Sequence, residues 1–198
     1  MVADAWTHLY DNLRPRVADG MWRDYGDLTE VDVSKYLETE TIDPIAYLYV
    51  PHKCKEGGCR LHVGFHGCTM ARTQPWDERV GGGLYEDKYV RYSGYLENAA
   101  ANDVVVLFPQ VMPGPAVFSD HIYYEALGAF AGCWDFWGEN YTGPNIMNKN
   151  SVQQQSIINM VTAMGARADD DDDDMKGDMD SWSTDLLPRV IYSATWKT

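Results

Sequence analysis

The chain has no apolar run near the roughly 20 residues a helix needs to cross a bilayer, so a soluble protein is expected. Basic residues are scarce: sixteen Lys and Arg stand against thirty Asp and Glu, a formal net charge of -14. Such a surface repels phosphate backbones and anionic headgroups, which argues against nucleic-acid and membrane partners. The opening Met1 to Trp6 has neither the basic start nor the apolar stretch of a secretion signal. A chain that is cytosolic, already processed or missing its true beginning is therefore expected. There are only four cysteines and no close Cys-x-x-Cys pair, so no metal and no cofactor is expected. No internal repeat is visible.

What is present fits one compact domain. In 198 residues, 45% hydrophobic and 13% aromatic side chains can bury enough surface to offset the entropy of ordering the backbone. Trp6, Leu9, Tyr10 and Leu13 recur at helical spacing before Pro15. Residues 17–41 read as a polar connection with one edge strand. Ala46 to Val50, between Pro44 and Pro51, reads as a strand, and Leu61, Val63 and Phe65 alternate in a second one. These two strands flank a short turn bracketed by Cys54 and Cys59, which predicts a hairpin. Tyr92, Tyr95, Leu96 and Ala99 mark a helix, and Val104 to Phe108 is a continuous apolar run of the kind buried on both faces of a parallel sheet. Ser151 and Gln154 form a capping-box signature for a helix to about Met164. Helix followed by buried strand gives an α/β fold class.

Four cysteines allow three connectivities. Cys54 with Cys59 and Cys68 with Cys133 is the favoured set, the first pinning a turn and the second joining distant loops; four reduced thiols are the alternative. Asn140-Tyr141-Thr142 is a glycosylation sequon that fits an oxidising setting. After Ala168 the composition turns abruptly acidic, Asp169 to Asp174 being unbroken aspartate. Residues 1–168 are expected to form the α/β domain and 169–198 a solvated acidic tail, within which Leu186 to Tyr192 has strand character. Unbroken aspartates lack the glycine and spaced ligands of a calcium loop.

The chemistry concentrates in Leu61-His62-Val63-Gly64-Phe65-His66-Gly67-Cys68, an apolar strand ending in His-Gly. A glycine there permits the turn that sets backbone N–H groups beside an ester carbonyl. Taken with Tyr47-Leu48-Tyr49-Val50-Pro51, Cys59-Arg60-Leu61-His62-Val63, Val106-Leu107-Phe108-Pro109-Gln110 and Gly132-Cys133-Trp134-Asp135-Phe136-Trp137-Gly138, the chain resembles the extracellular poly(3-hydroxybutyrate) depolymerases. The motifs keep their order from about Ala46 to Met164. The resemblance implies an α/β-hydrolase fold, here a partial one, together with secretion and a Ser-His-Asp mechanism acting on polyesters or short-chain esters. It implies that the Cys68 backbone N–H is an oxyanion donor and that Trp134 lines the substrate site. It also supports the Cys68 to Cys133 bridge.

One departure matters. Family members carry a Gly-x-Ser-x-Gly nucleophile elbow, and this sequence contains none. Ser93 reads as a surface or packing serine, and Ser193, although it follows a strand-like segment, lacks the flanking glycines. A circularly permuted branch of the family places the triad in its first half and the oxyanion segment in its second; this chain resembles the second half, the C-terminal one. His66 is expected to be structural, its ring bonded within the loop, and His62 to face one side of the sheet. His121 stands beside Asp120, a poor geometry for a catalytic pair, while His8 and His52 read as exposed. The alternative to an esterase half is a non-catalytic remnant that binds polymer or glycan through its aromatic loop. The oligomeric state is not legible.

Overall fold

The computed structural model describes residues 13–75, 82–113, 131–134 and 149–165, and the backbone of 191–192. Five strands form one mixed sheet among these residues: β1 (Gly26–Asp32), β2 (Ile45–Pro51), β3 (Arg60–Val63), β4 (Val104–Phe108) and the two-residue β5 (Ile191–Tyr192). Their spatial order is β1-β2-β4-β3-β5. β2 runs antiparallel to both β1 and β4, whereas β3 is parallel to β4 and β5. The edge strand expected within 17–41 is β1, and β5 falls in the strand-like segment near the C-terminus. The initial helix, the acidic run and the proposed boundary at 168 lie outside the described residues.

The predicted hairpin is corrected by this order, because β4 lies between β2 and β3. The reason is in the composition of β4: all five residues are buried, so both of its edges and both of its faces need cover. Its pleat sends Val105 and Leu107 to one core, with Leu48, Leu61, Ile157 and Met160, and sends Val104, Val106 and Phe108 to another, with Tyr49, Leu96 and Ala99. A strand apolar on both sides takes the centre of a sheet, and the flanking strands separate around it.

Each core has a helical cover. The single helix expected around Tyr92 to Ala99 is two helices, α1 (Lys88–Tyr92) and α2 (Tyr95–Asn102), parted at Gly94, whose φ of 87° ends regular helix. Tyr92, expected on the apolar face, is 80% exposed, because the break takes it off the stripe that Leu96 and Ala99 bury. Helix α3 (Val152–Ala163) covers the other face and starts as predicted, the Ser151 Oγ accepting a hydrogen bond from the Gln154 N–H at 3.3 Å.

Candidate active-site loop

The parallel strands β3 and β4 end on the same side of the sheet, where open α/β sheets hold their ligands. The chain leaving β3 passes Gly64, whose N–H donates to Leu107 O at 2.8 Å and whose Cα lies against the Phe108 ring. It then forms a loop from Phe65 to Gln74 that is buried at His66 and exposed at Gly67, Cys68 and Thr69. Thr69 has φ of 63°, a left-handed conformation that a β-branched residue adopts only under constraint, and such strain collects at functional sites.

The constraints can be named. The Tyr89 hydroxyl donates to Phe65 O at 2.6 Å. The Val111 N–H donates to His66 Nε2 at 3.2 Å, which fixes the proton on Nδ1 and lets Nδ1–H donate to Gly67 O at 2.8 Å. Both ring nitrogens are thus used, and burial pushes the imidazole below its ordinary pKa, the bond to Gly67 partly opposing this. His66 is structural, in line with the sequence reading, and has no free nitrogen to act as a base. The Thr69 N–H donates to Ala131 O, and the Cys68–Cys133 disulfide ties the same two segments together. Cys54–Cys59 is bridged as well, so the favoured connectivity is the observed one, and two bridges fit a protein that matures in an oxidising compartment.

At the far end of the loop, the Arg72 N–H donates to Gln110 Oε1 at 3.0 Å. The Arg72 guanidinium reaches the buried Asp43 carboxylate at 3.2 Å and Glu30 at 3.8 Å. Sequence reasoning passed over Arg72, Asp43 and Tyr89. Gln110 carried a signal, a polar residue directly after the apolar β4 and Pro109, yet it received no role. With its ends anchored, the loop leaves the Cys68 N–H exposed and without a hydrogen bond among the described residues. Trp134 lies beside it, edge-on to Phe65 with ring centroids 4.8 Å apart and 5.6 Å from His66. Its Nε1–H is buried and has no acceptor among the described residues.

Other candidates fall elsewhere. His62 packs against Tyr95 at 5.3 Å on the α2 face of the sheet, His52 is half exposed beside Asp27, and Ser93 ends α1 with a buried hydroxyl that has no partner among the described residues. His8, Ser119, His121, Asn140 and Ser193 lie outside the described residues. A cleft of about 210 Å³ opens between Glu30, Tyr47, Arg72, Thr73, Glu86 and Asp87. Three carboxylates against one guanidinium make it a poor seat for a developing oxyanion, so it is set apart from the Cys68 loop. No group of side chains able to hold a metal ion occurs among the described residues.

No family model matches the sequence. It is 29% identical over 157 residues to a poly(3-hydroxybutyrate) depolymerase of Delftia acidovorans, covering 78% of this chain and 26% of that protein. The crystal structure of the PHB depolymerase from Penicillium funiculosum is similar with a TM-score of 0.61 at 24% identity, over 81% of this chain and 46% of that one. A single-substitution variant of a PHB depolymerase, complexed with an R3HB trimer, gives 0.60 at 24% identity with the same coverage. The structural likeness carries the fold, that of an α/β-hydrolase-like sheet, and the chain spans about a quarter of the curated relative and under half of the solved structures. In sequence over most of its length, and in fold, the chain is related to the poly(3-hydroxybutyrate) depolymerase family.

Proposed function

We propose that this chain is the oxyanion-hole portion of a secreted carboxylic ester hydrolase of the polyhydroxybutyrate depolymerase type, and that it lacks the Ser-His-Asp triad. The observation that carries the reading is the exposed Cys68 beyond the end of β3, whose N–H has no hydrogen bond among the described residues and whose loop is held at both ends. Aimed at an ester carbonyl, such a donor stabilises the tetrahedral oxyanion, and one donor is worth about 3 kcal/mol. In the complete enzyme a serine attacks the carbonyl carbon, a histidine takes its proton and returns it to the leaving alkoxide, and an aspartate orients the histidine. With no Gly-x-Ser-x-Gly in the sequence, the chain alone should not turn over. Purified protein is expected to leave p-nitrophenyl butyrate at the buffer rate and to take up no serine-directed fluorophosphonate. Covalent labelling at a serine would overturn the claim that the nucleophile is missing.

A second reading, a non-catalytic binder of polymer, is favoured by Trp134, a half-buried ring beside the loop whose indole N–H has no acceptor among the described residues. It predicts that a 3-hydroxybutyrate trimer binds and that Trp134→Phe, which keeps the ring against Phe65 but removes the donor, weakens binding about tenfold at an unchanged melting temperature. A well-folded wild-type chain that shows no calorimetric signal with the trimer would count against this reading.

A further inference from the structure

Two consecutive residues just beyond β4 hold the two ends of the Cys68 loop. The Val111 backbone N–H meets the His66 ring, and the Gln110 side chain meets the Arg72 N–H. Gln110 is 1% exposed, and its side-chain amide and its backbone carbonyl are all engaged. Its Oε1 accepts from Arg72, its Nε2 donates to Phe108 O and Pro109 O at 3.2 Å each, and its backbone carbonyl accepts the Asp43 N–H at 2.8 Å. The two donor bonds fix the side-chain amide against its own strand end, so the acceptor faces the loop at a set height. Asp43, held by the same residue, in turn accepts from Ile45 N–H and from the Arg72 guanidinium. A buried amide satisfied in this way is costly to replace and has one orientation.

We propose that Gln110 is a positioning residue for ester hydrolysis: its side chain sets where the loop presents the Cys68 N–H to the ester oxygen. The inference rests on the oxyanion reading of Cys68 given above. Gln110 touches no reacting atom; it acts through Arg72 and the segment between Arg72 and His66. The disulfide and the Thr69 bond hold the middle of the loop to Ala131 and Cys133, while among the described residues the Gln110 side chain and the Val111 N–H tie its ends to the segment that follows the sheet's central strand.

The test uses the full chain labelled with nitrogen-15 at cysteine, which reports four amides, two of them (Cys54 and Cys59) in the other bridge. Gln110→Met removes the acceptor and both donors; Gln110→Glu keeps an acceptor but loses both donors, setting a carboxylate oxygen against the Phe108 and Pro109 carbonyls. Without ligand, the Cys68 amide line is expected to shift or broaden in Gln110→Met, and in a second sample labelled at arginine the Arg72 amide is expected to exchange about tenfold faster. The Cys54 and Cys59 lines should stay in place, and Gln110→Glu should move the Cys68 line as Gln110→Met does. A Cys68 line unmoved in Gln110→Met, or one that moves together with Cys54 and Cys59, overturns the proposal. Should Gln110→Met fail to fold, Gln110→Glu decides: a Cys68 line left at its wild-type position although both donors are gone also overturns it. Adding the 3-hydroxybutyrate trimer to the wild type separates the two claims. A Cys68 amide that ignores the trimer sinks the oxyanion reading, while the ligand-free comparison still judges Gln110.

Discussion

His62 and His66 stand within one strand-and-loop segment, and both lie in surroundings that disfavour charge. Burial alone lowers the His62 pKa from its ordinary value to about 4, and burial lowers that of His66 as well. A folded-state pKa below the unfolded one means that the unfolded chain takes up the proton first as pH falls. The stability that the His62 ring contributes is therefore complete above about pH 6.5 and is lost as the pH falls through about 4, and His66 acts in the same direction. For His62 the loss amounts to about 3 kcal/mol. The melting temperature of the wild type is expected to drop steadily from pH 7 to pH 4.5, and His62→Phe, which keeps a ring against Tyr95, should flatten that slope. Parallel slopes in the two proteins would show that His62 carries none of the pH dependence.

At the scale of elements, the junction of β3 with β4 is the tightest contact behind the loop. A Cβ placed on Gly64 would lie 2.7 and 2.8 Å from two carbons of the Phe108 ring, and that ring is itself fully buried. Gly64→Ala should cost about 1–3 kcal/mol through overpacking and lower the melting temperature accordingly. Phe108→Leu in the same chain should recover part of the loss, which a double-mutant cycle of thermal unfolding would reveal as coupling. Full additivity of the two changes would contradict the contact. The α1–α2 break at Gly94 belongs to the same scale, since a helix running through it would carry Tyr92 inward instead of leaving it exposed.

Across the whole molecule, what the sequence disclosed followed from local rules. The burial of β4 was legible in Val104 to Phe108, the α3 start in Ser151 and Gln154, and the two bridges in the placement of Cys54, Cys59, Cys68 and Cys133. The loop that carries the candidate site was legible in His66-Gly67-Cys68, and so was the structural part played by His66. Strand order was not, because periodicity ranks burial without saying which two neighbours a buried strand will take. Nor were Gln110, Arg72 and Asp43 legible, since each is an ordinary polar residue until folding brings distant segments together. The edge strand β1 carries Asp27, Glu30 and Asp32, a charged margin that discourages pairing with another chain.

The position of β4 also sets an order of events during synthesis. β1 and β2 leave the ribosome in succession and can pair at once, but β3 emerges before the strand that will join it to β2 exists. Until Val104 to Phe108 has been made, β3 and the loop beyond it have no sheet to rest on, and non-local pairings of this kind form slowly. The Cys68 loop, whose partners Gln110, Val111, Ala131 and Cys133 come later still, is thus among the last parts of the described fold to become fixed.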